Sequence, residues 1–113
     1  MLAKANRITQ PSDFRLAVRK GRRYSAPHFV VHVVTNNETD ASRFGFIVSK
    51  AVGNAVSRNR VRRRLRSVAA RELPGVEPSS DIVVRALAGS AQLEWATLQA
   101  EIAEGIDRIV MKA

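Results

Sequence analysis

Apolar residues recur along this chain at two periods, and each change of period marks a predicted element. Phe14, Ala17 and Val18 stand at helical spacing behind Ser12, a capping residue with Asp13 in the following turn, and Gly21 supplies a stop. After Ala26-Pro27, residues His28 to Thr35 (HFVVHVVT) are dense in β-branched side chains and predict a strand. Asn36 to Asp40 (NNETD) is a polar turn, and Arg43 to Lys50 (RFGFIVSK) is a second strand, expected to lie antiparallel to the first. Arg22-Arg23-Tyr24 adds a short edge strand. Gly53-Asn54 opens a helix to about Glu72, which Pro74-Gly75 ends. Asp81 to Leu87 (DIVVRAL) predicts another strand. Ser90 caps a final helix to about Met111, with Trp95, Leu98, Ile102, Ile106 and Ile109 on one apolar stripe. The order αβββαβα, or αββαβα without the edge strand, has no repeats or linkers and predicts one α+β domain over residues 1–113, a small mixed sheet packed by helices.

Composition narrows what such a domain can be. At 113 residues and 45% hydrophobic, the chain can bury a core, so its charge does not signal disorder. It has no cysteine, which excludes disulfides, Cys-ligated zinc and a thiol nucleophile. No apolar run approaches the ~18 residues of a membrane span, and the N-terminus lacks a signal peptide's apolar stretch, so a cytoplasmic location is expected. The net charge of +9 is unevenly spread: residues 1–71 carry +13 and residues 72–113 carry −4. No carboxylate occurs from Phe14 to Asn37, or from Ala41 to Arg71. Such segregation points to a polyanion met by the first two-thirds of the chain. A membrane surface fits poorly, because no basic helix has an exposed apolar face rich in Trp or Phe.

The charge concentrates in Ser57-Arg58-Asn59-Arg60-Val61-Arg62-Arg63-Arg64-Leu65-Arg66. On a helix, Val61, Leu65, Val68 and Ala69 share one arc and suit packing on a sheet. Arg60, Arg62, Arg63, Arg64 and Arg66 fan across the opposite arc with Asn59, and Arg58 lies near the apolar side at the first turn. A merely solvated face mixes Glu with Lys; here like charges repeat at i,i+4, which costs stability. The guanidinium's planar fork matches phosphate, so an external nucleic acid is the natural complement.

From Ser49-Lys50 through Gly53-Asn54-Ala55-Val56 to Arg58-Asn59-Arg60 and Arg66, the chain closely resembles the signature of the bacterial ribonuclease P protein component. Asn6-Arg7-Ile8, Asp13-Phe14, Phe29-Val30-Val31 and Asp81-Ile82-Val83-Val84-Arg85 follow in the family's order. The resemblance implies a non-catalytic subunit of an endoribonuclease, whose partner RNA, with Mg²⁺, cuts the 5′ leader from precursor tRNA. It implies an RNA-binding face of Lys50, Asn54, Arg58, Asn59, Arg60, Arg62, Arg63, Arg64 and Arg66. It also implies a leader cleft between sheet and first helix at Phe14, Val18, His32, Ile47 and Arg58, and a left-handed βαβ crossover. Two aromatic cleft positions of the family are Val18 and His32 here, and Ala51 replaces a common lysine. Stacking at position 18 is therefore expected to be weaker, with His32 still able to stack.

Nothing in the residues suggests that the chain itself cuts RNA. His28 and His32, about 13 Å apart along one strand face, cannot share a metal, and Asp13 and Asp40 stand isolated. Glu94, Glu101, Glu104 and Asp107 read as a solvated helix face, and Trp95 as core. The Mg²⁺ implied is that of the RNA–protein complex, with none assigned to this chain, and no obligate protein partner is evident. On charge alone, a structural ribonucleoprotein component and a DNA-binding module stay open. An almost all-Arg face suits base readout poorly, because that usually mixes in Asn, Gln and Ser. Gly45, on the strand face shared by Arg43, Ile47 and Ser49, is expected to admit a close backbone.

Overall fold

Proline, not serine, sets the start of the first helix. In the computed structural model, which describes residues 2–36 and 40–109, α1 runs Pro11–Lys20 with Gln10 at the N-cap. Pro11 occupies the first helical position, where its missing N–H costs nothing and its fixed φ suits the helix. Ser12 thus lies inside α1, while Asp13 keeps its place in the first turn. Gly21 ends α1 in extended backbone (φ −75°, ψ 163°). It is needed there for space rather than for a left-handed turn: a Cβ would press on the backbone carbonyls of Ala17 and Val33.

The strands are β1 (Arg22–Ser25), β2 (Phe29–Thr35), β3 (Arg43–Val48) and β4 (Ser80–Ala86), so the short edge strand at Arg22 is present. They form one sheet in the order β1-β2-β4-β3. β3 runs antiparallel to β2, as expected, but β4 lies between them, so the two strands do not pair. β2 pairs antiparallel with β4, and β3 pairs parallel with β4, Phe44 opposite Ile82 and Ile47 opposite Arg85. The reason lies in burial: β4 is buried at every position but Arg85, and a strand apolar on both faces belongs in the interior of a sheet. Parallel strands also need a long crossover, which the helix between β3 and β4 supplies. Of the polar turn predicted at 36–40, residues 37–39 lie outside the described residues. Asn36 is buried, and its side-chain amide donates to Asp81 (2.9 Å).

That crossover helix, α2, spans Ala55–Glu72, with Asn54 Oδ1 accepting from the Ser57 N–H at 2.9 Å. It buries Val61, Leu65, Val68 and Ala69, the four positions its periodicity singles out, and Leu73–Gly75 tightens into a 3-10 turn. The last helix, α3, runs Trp95–Ile109, later than expected, and residues 110–113 lie outside the described residues. Ser90 does not cap it. Ser90–Gln92 forms a separate 3-10 turn that buries Ser90 completely, and the first helical bond goes from Leu98 N–H to the Glu94 carbonyl. No helix of the described residues is long and apolar enough to cross a membrane.

The two faces of the sheet are covered unequally. Phe29, Val31, Val33, Phe44, Val48, Ile82, Val84 and Ala86 join residues of α2 and α3 in the main core. The alternate residues face α1, where Ile8, Ala17 and Val83 form a small second cluster edged by Phe14, Val18, Val34 and Ile47. Arg43 and Asp81, directly opposite in the parallel register, lock it with a bidentate ion pair, Nε–Oδ1 2.9 Å and Nη2–Oδ2 2.7 Å. Asp13 lies 3.6 Å from the same guanidinium. Asp13 is therefore not isolated, and Arg43 is engaged by both carboxylates.

Candidate nucleic-acid interface

Six of the seven arginines of α2 cluster in its first three turns, Arg60, Arg63 and Arg66 exposed and Arg58, Arg62 and Arg64 half-buried. Among the described residues none of them is in an ion pair. Their protein partners are neutral oxygens: Arg58 Nη1 donates to the Gly53 carbonyl (3.2 Å), Arg62 to Asn59 Oδ1 (3.2 Å) and the Val48 carbonyl (3.4 Å), and Arg64 Nη1 to the Leu93 carbonyl (2.8 Å). Each guanidinium has five donors, so most remain for an external anion. Lys50 is exposed in a 3-10 turn (Lys50–Val52) before the helix, capped by Ser49 Oγ, and extends the same cationic surface. Asn54 and Asn59 have local structural partners: one caps α2, and the other orients Arg62.

On the opposite face of the sheet, Phe14, Arg15, Val18, Arg19, Ile47 and Arg85 line a groove of about 420 Å³. Phe14, Val18 and Ile47 are where the sequence places them. Arg15, Arg19 and Arg85 were missed, although Arg15 and Arg19 repeat the i,i+4 spacing of Phe14 and Val18 one residue on. Gly45 admits a ring rather than a backbone: a Cβ there would lie 2.5 Å from Phe14 Cε1. A second hollow joins the two surfaces, lined by Arg7, Ile8, Phe14, Phe44, Gly45, Phe46, Arg62 and Arg66. Arg58 lines neither the groove nor this hollow; its bond to Gly53 holds it at the start of α2.

His32 does not belong to the cleft surface. It is 3% exposed, on the strand between β1 and β4, and neither ring nitrogen has a hydrogen-bond partner among the described residues. A ring so enclosed cannot receive a base: it lies on the sheet face that α1 packs against. Burial lowers its pKa below the ordinary 6.5, and the charges of Arg23 and Arg85 lower it further. The unfolded chain then binds the extra proton more readily. The stability this group contributes is complete above about pH 6.5 and declines as pH falls toward the lowered folded value. His32→Leu is expected to flatten that decline in thermal unfolding between about pH 7.5 and 5, and to be no less stable at pH 7, since it removes two unpartnered polar atoms. A slope identical to the parent's would refute this.

Two further sequence expectations change. Glu101 is not a solvated residue: it accepts from the backbone N–H of His28 (2.9 Å) and pairs with its Nδ1 (2.7 Å), tying α3 to the start of β2. Trp95 is only half-buried, packed against the main core. Among the described residues no three His, Asp or Glu side chains converge to hold a metal ion.

A mixed sheet whose parallel crossover carries an arginine helix without acid partners among the described residues, with a cationic groove behind it, defines a small nucleic-acid-binding protein. Comparison with known proteins identifies which kind. The ribonuclease P family model matches residues 2–110, and the chain belongs to that family. It is 47% identical to the ribonuclease P protein component of Clavibacter michiganensis subsp. michiganensis, over 97% of each chain. It is 40% identical to that of Rhodococcus erythropolis, over 96% of this chain and 92% of the other. Among solved structures, the RNase P protein of Staphylococcus aureus superposes with a TM-score of 0.84 at 30% identity, covering 93% of this chain and 95% of that one. The Thermotoga maritima protein, at 22% identity and a TM-score of 0.78 over 95% and 99%, shares the fold. Membership makes this chain an RNA-binding subunit of an endoribonuclease holoenzyme that processes tRNA.

Proposed function

We propose that the two cationic surfaces serve two parts of one reaction in the cytoplasm. The outer face of α2, with Lys50, binds the catalytic RNA through its phosphates. The groove of Phe14, Val18 and Ile47 with Arg15, Arg19 and Arg85 holds the 5′ leader of precursor tRNA as a single strand. Phe14 offers a ring for stacking and the arginines offer charge to the backbone. The observation that carries this reading is the hollow in which Phe14 of the groove meets Arg62 and Arg66 of α2. A strand lying in the groove is thereby delivered beside the helix that holds the catalytic RNA, which adds binding energy and orientation to the scissile region. Mg²⁺ held by the RNA supplies the hydrolytic chemistry, and this chain's residues bind and orient.

Single-turnover leader removal at low Mg²⁺ tests the proposal, comparing RNA alone, protein alone and the two together. Faster cleavage is expected only for the mixture, and protein alone is expected to cut nothing. A mixture no faster than RNA alone would overturn the reading.

A further inference from the structure

The arginines of α2 line grooves on two sides of the helix, with Arg63 shared between them. Arg62 and Arg66 face the hollow beside Phe14. Arg60, Arg63, Arg64 and Ser67, at i, i+3, i+4 and i+7, instead line a groove of about 320 Å³ that Trp95, the first residue of α3, completes. We infer that this groove between α2 and the start of α3 binds one unpaired nucleotide of an RNA, its base stacked on Trp95 and its phosphate held by Arg60, Arg63 and Arg64. The inference rests on the reading of α2 as the RNA-binding face and assigns a second kind of contact to it.

Trp95 packs against the core, yet it is only half-buried and lines the groove. Its ring is not taken by a neighbouring cation: among the described residues the cation–π contact is Arg108 over Tyr24, 5.6 Å from the ring centroid. Arg64 is fixed at the groove by its 2.8 Å bond to the Leu93 carbonyl, two residues before Trp95, so one cation of the groove is ordered before any ligand arrives. None of the three arginines is in an ion pair among the described residues. An aromatic ring ringed by unneutralised arginines selects a group that is flat and apolar at one end and anionic at the other. A nucleotide meets that description. A base-paired helix does not, because its bases are stacked on one another and it presents chiefly phosphate and ribose.

Trp95 is the single tryptophan of the chain, so its fluorescence reports on this groove alone. The full chain is titrated with an unstructured RNA of about ten nucleotides, with the same sequence as a duplex, and with free nucleoside monophosphate, while binding is followed independently by anisotropy of labelled RNA. The single strand is expected to quench Trp95, whereas the duplex binds at low salt without quenching it. Arg60→Gln with Arg63→Gln is expected to weaken the quench-derived affinity. Trp95→Leu, which keeps apolar bulk, is expected to lose about 5- to 150-fold in single-strand affinity, the range of one base–aromatic stack. Trp95→Phe, which keeps a ring, loses less and controls for folding. RNA binding that leaves Trp95 emission unmoved would overturn the inference, as would equal quenching by duplex. Quenching by free monophosphate at the same concentration as RNA would assign the groove to free nucleotides instead. Stimulation of leader removal is measured separately, so its loss bears on the proposed function and not on this groove.

Discussion

Replacing Arg60, Arg62, Arg63 and Arg66 together by glutamine is expected to lower affinity for structured RNA roughly 10²–10³-fold near 0.1 M salt, at ~0.7–1 kcal/mol for each exposed charge contact. The salt dependence is the sharper readout. With six arginines neutralising phosphates, log K falls with log salt at a slope of roughly −4 to −5, and removing four contacts brings it to about −1.5. The loss is expected to be nearly the same for unrelated structured RNAs, because phosphate contacts carry no sequence information. The fold is expected to survive: these side chains have no acid partners among the described residues, and the substitution removes the like-charge pairs Arg60/Arg64 and Arg62/Arg66. Filter binding across a salt series, with thermal unfolding alongside, checks both points. A parent slope near −1 would show that this face is not the main contact.

The largest effect on stability is expected at Asp81. Its carboxylate is nearly inaccessible, accepts from Arg43 at both oxygens, and accepts from Asn36 at Oδ1 as well. Removing one partner of a buried pair costs about 3–5 kcal/mol, because the remaining charge stays desolvated. Asp13, 3.6 Å from the Arg43 guanidinium, offers a partial replacement and places Asp81→Ala toward the lower end of that range. In a domain of this size that corresponds to a fall in Tm of roughly 10–20 °C. The double variant Asp81→Leu with Arg43→Met, which removes both charges, is expected to recover most of the loss. If the double variant were as unstable as Asp81→Ala, the ion pair would not be the cause.

The local elements of this fold were legible because their signals are local. Val61, Leu65, Val68 and Ala69 announce a helix and its buried side, and Asn54 its start. The partner of β3 was not legible in this way: a polar turn after β2 suggests a hairpin, whereas the pairing was decided by the apolar character of β4, more than thirty residues on. The arginine face could be read directly, since unbalanced like charge at i,i+4 has no internal purpose. His32 and Glu101 were misread for a common reason. Alternation tells which side of a strand or helix a residue takes, but not what lies over it. His32 is enclosed where α1 packs on the sheet, and Glu101 meets His28 across 73 positions of chain. Arg15, Arg19 and Arg85 carried the missed signal of the groove, which was visible once Phe14 and Val18 were placed.

The central position of β4 also governs when the molecule can exist. β4 is the last strand to be synthesised, yet it holds β2 on one edge and β3 on the other. Until it emerges, β3 has no strand to pair with, and α2 has only part of its sheet to lie on. The basic two-thirds of the chain therefore leaves the ribosome before its architecture can close, and closure comes with the acidic remainder that carries Asp81. Pairing across such long separations makes folding slow and all-or-none rather than stepwise. A nascent chain cut short before residue 80 bears almost all of the protein's arginines and none of its finished surface.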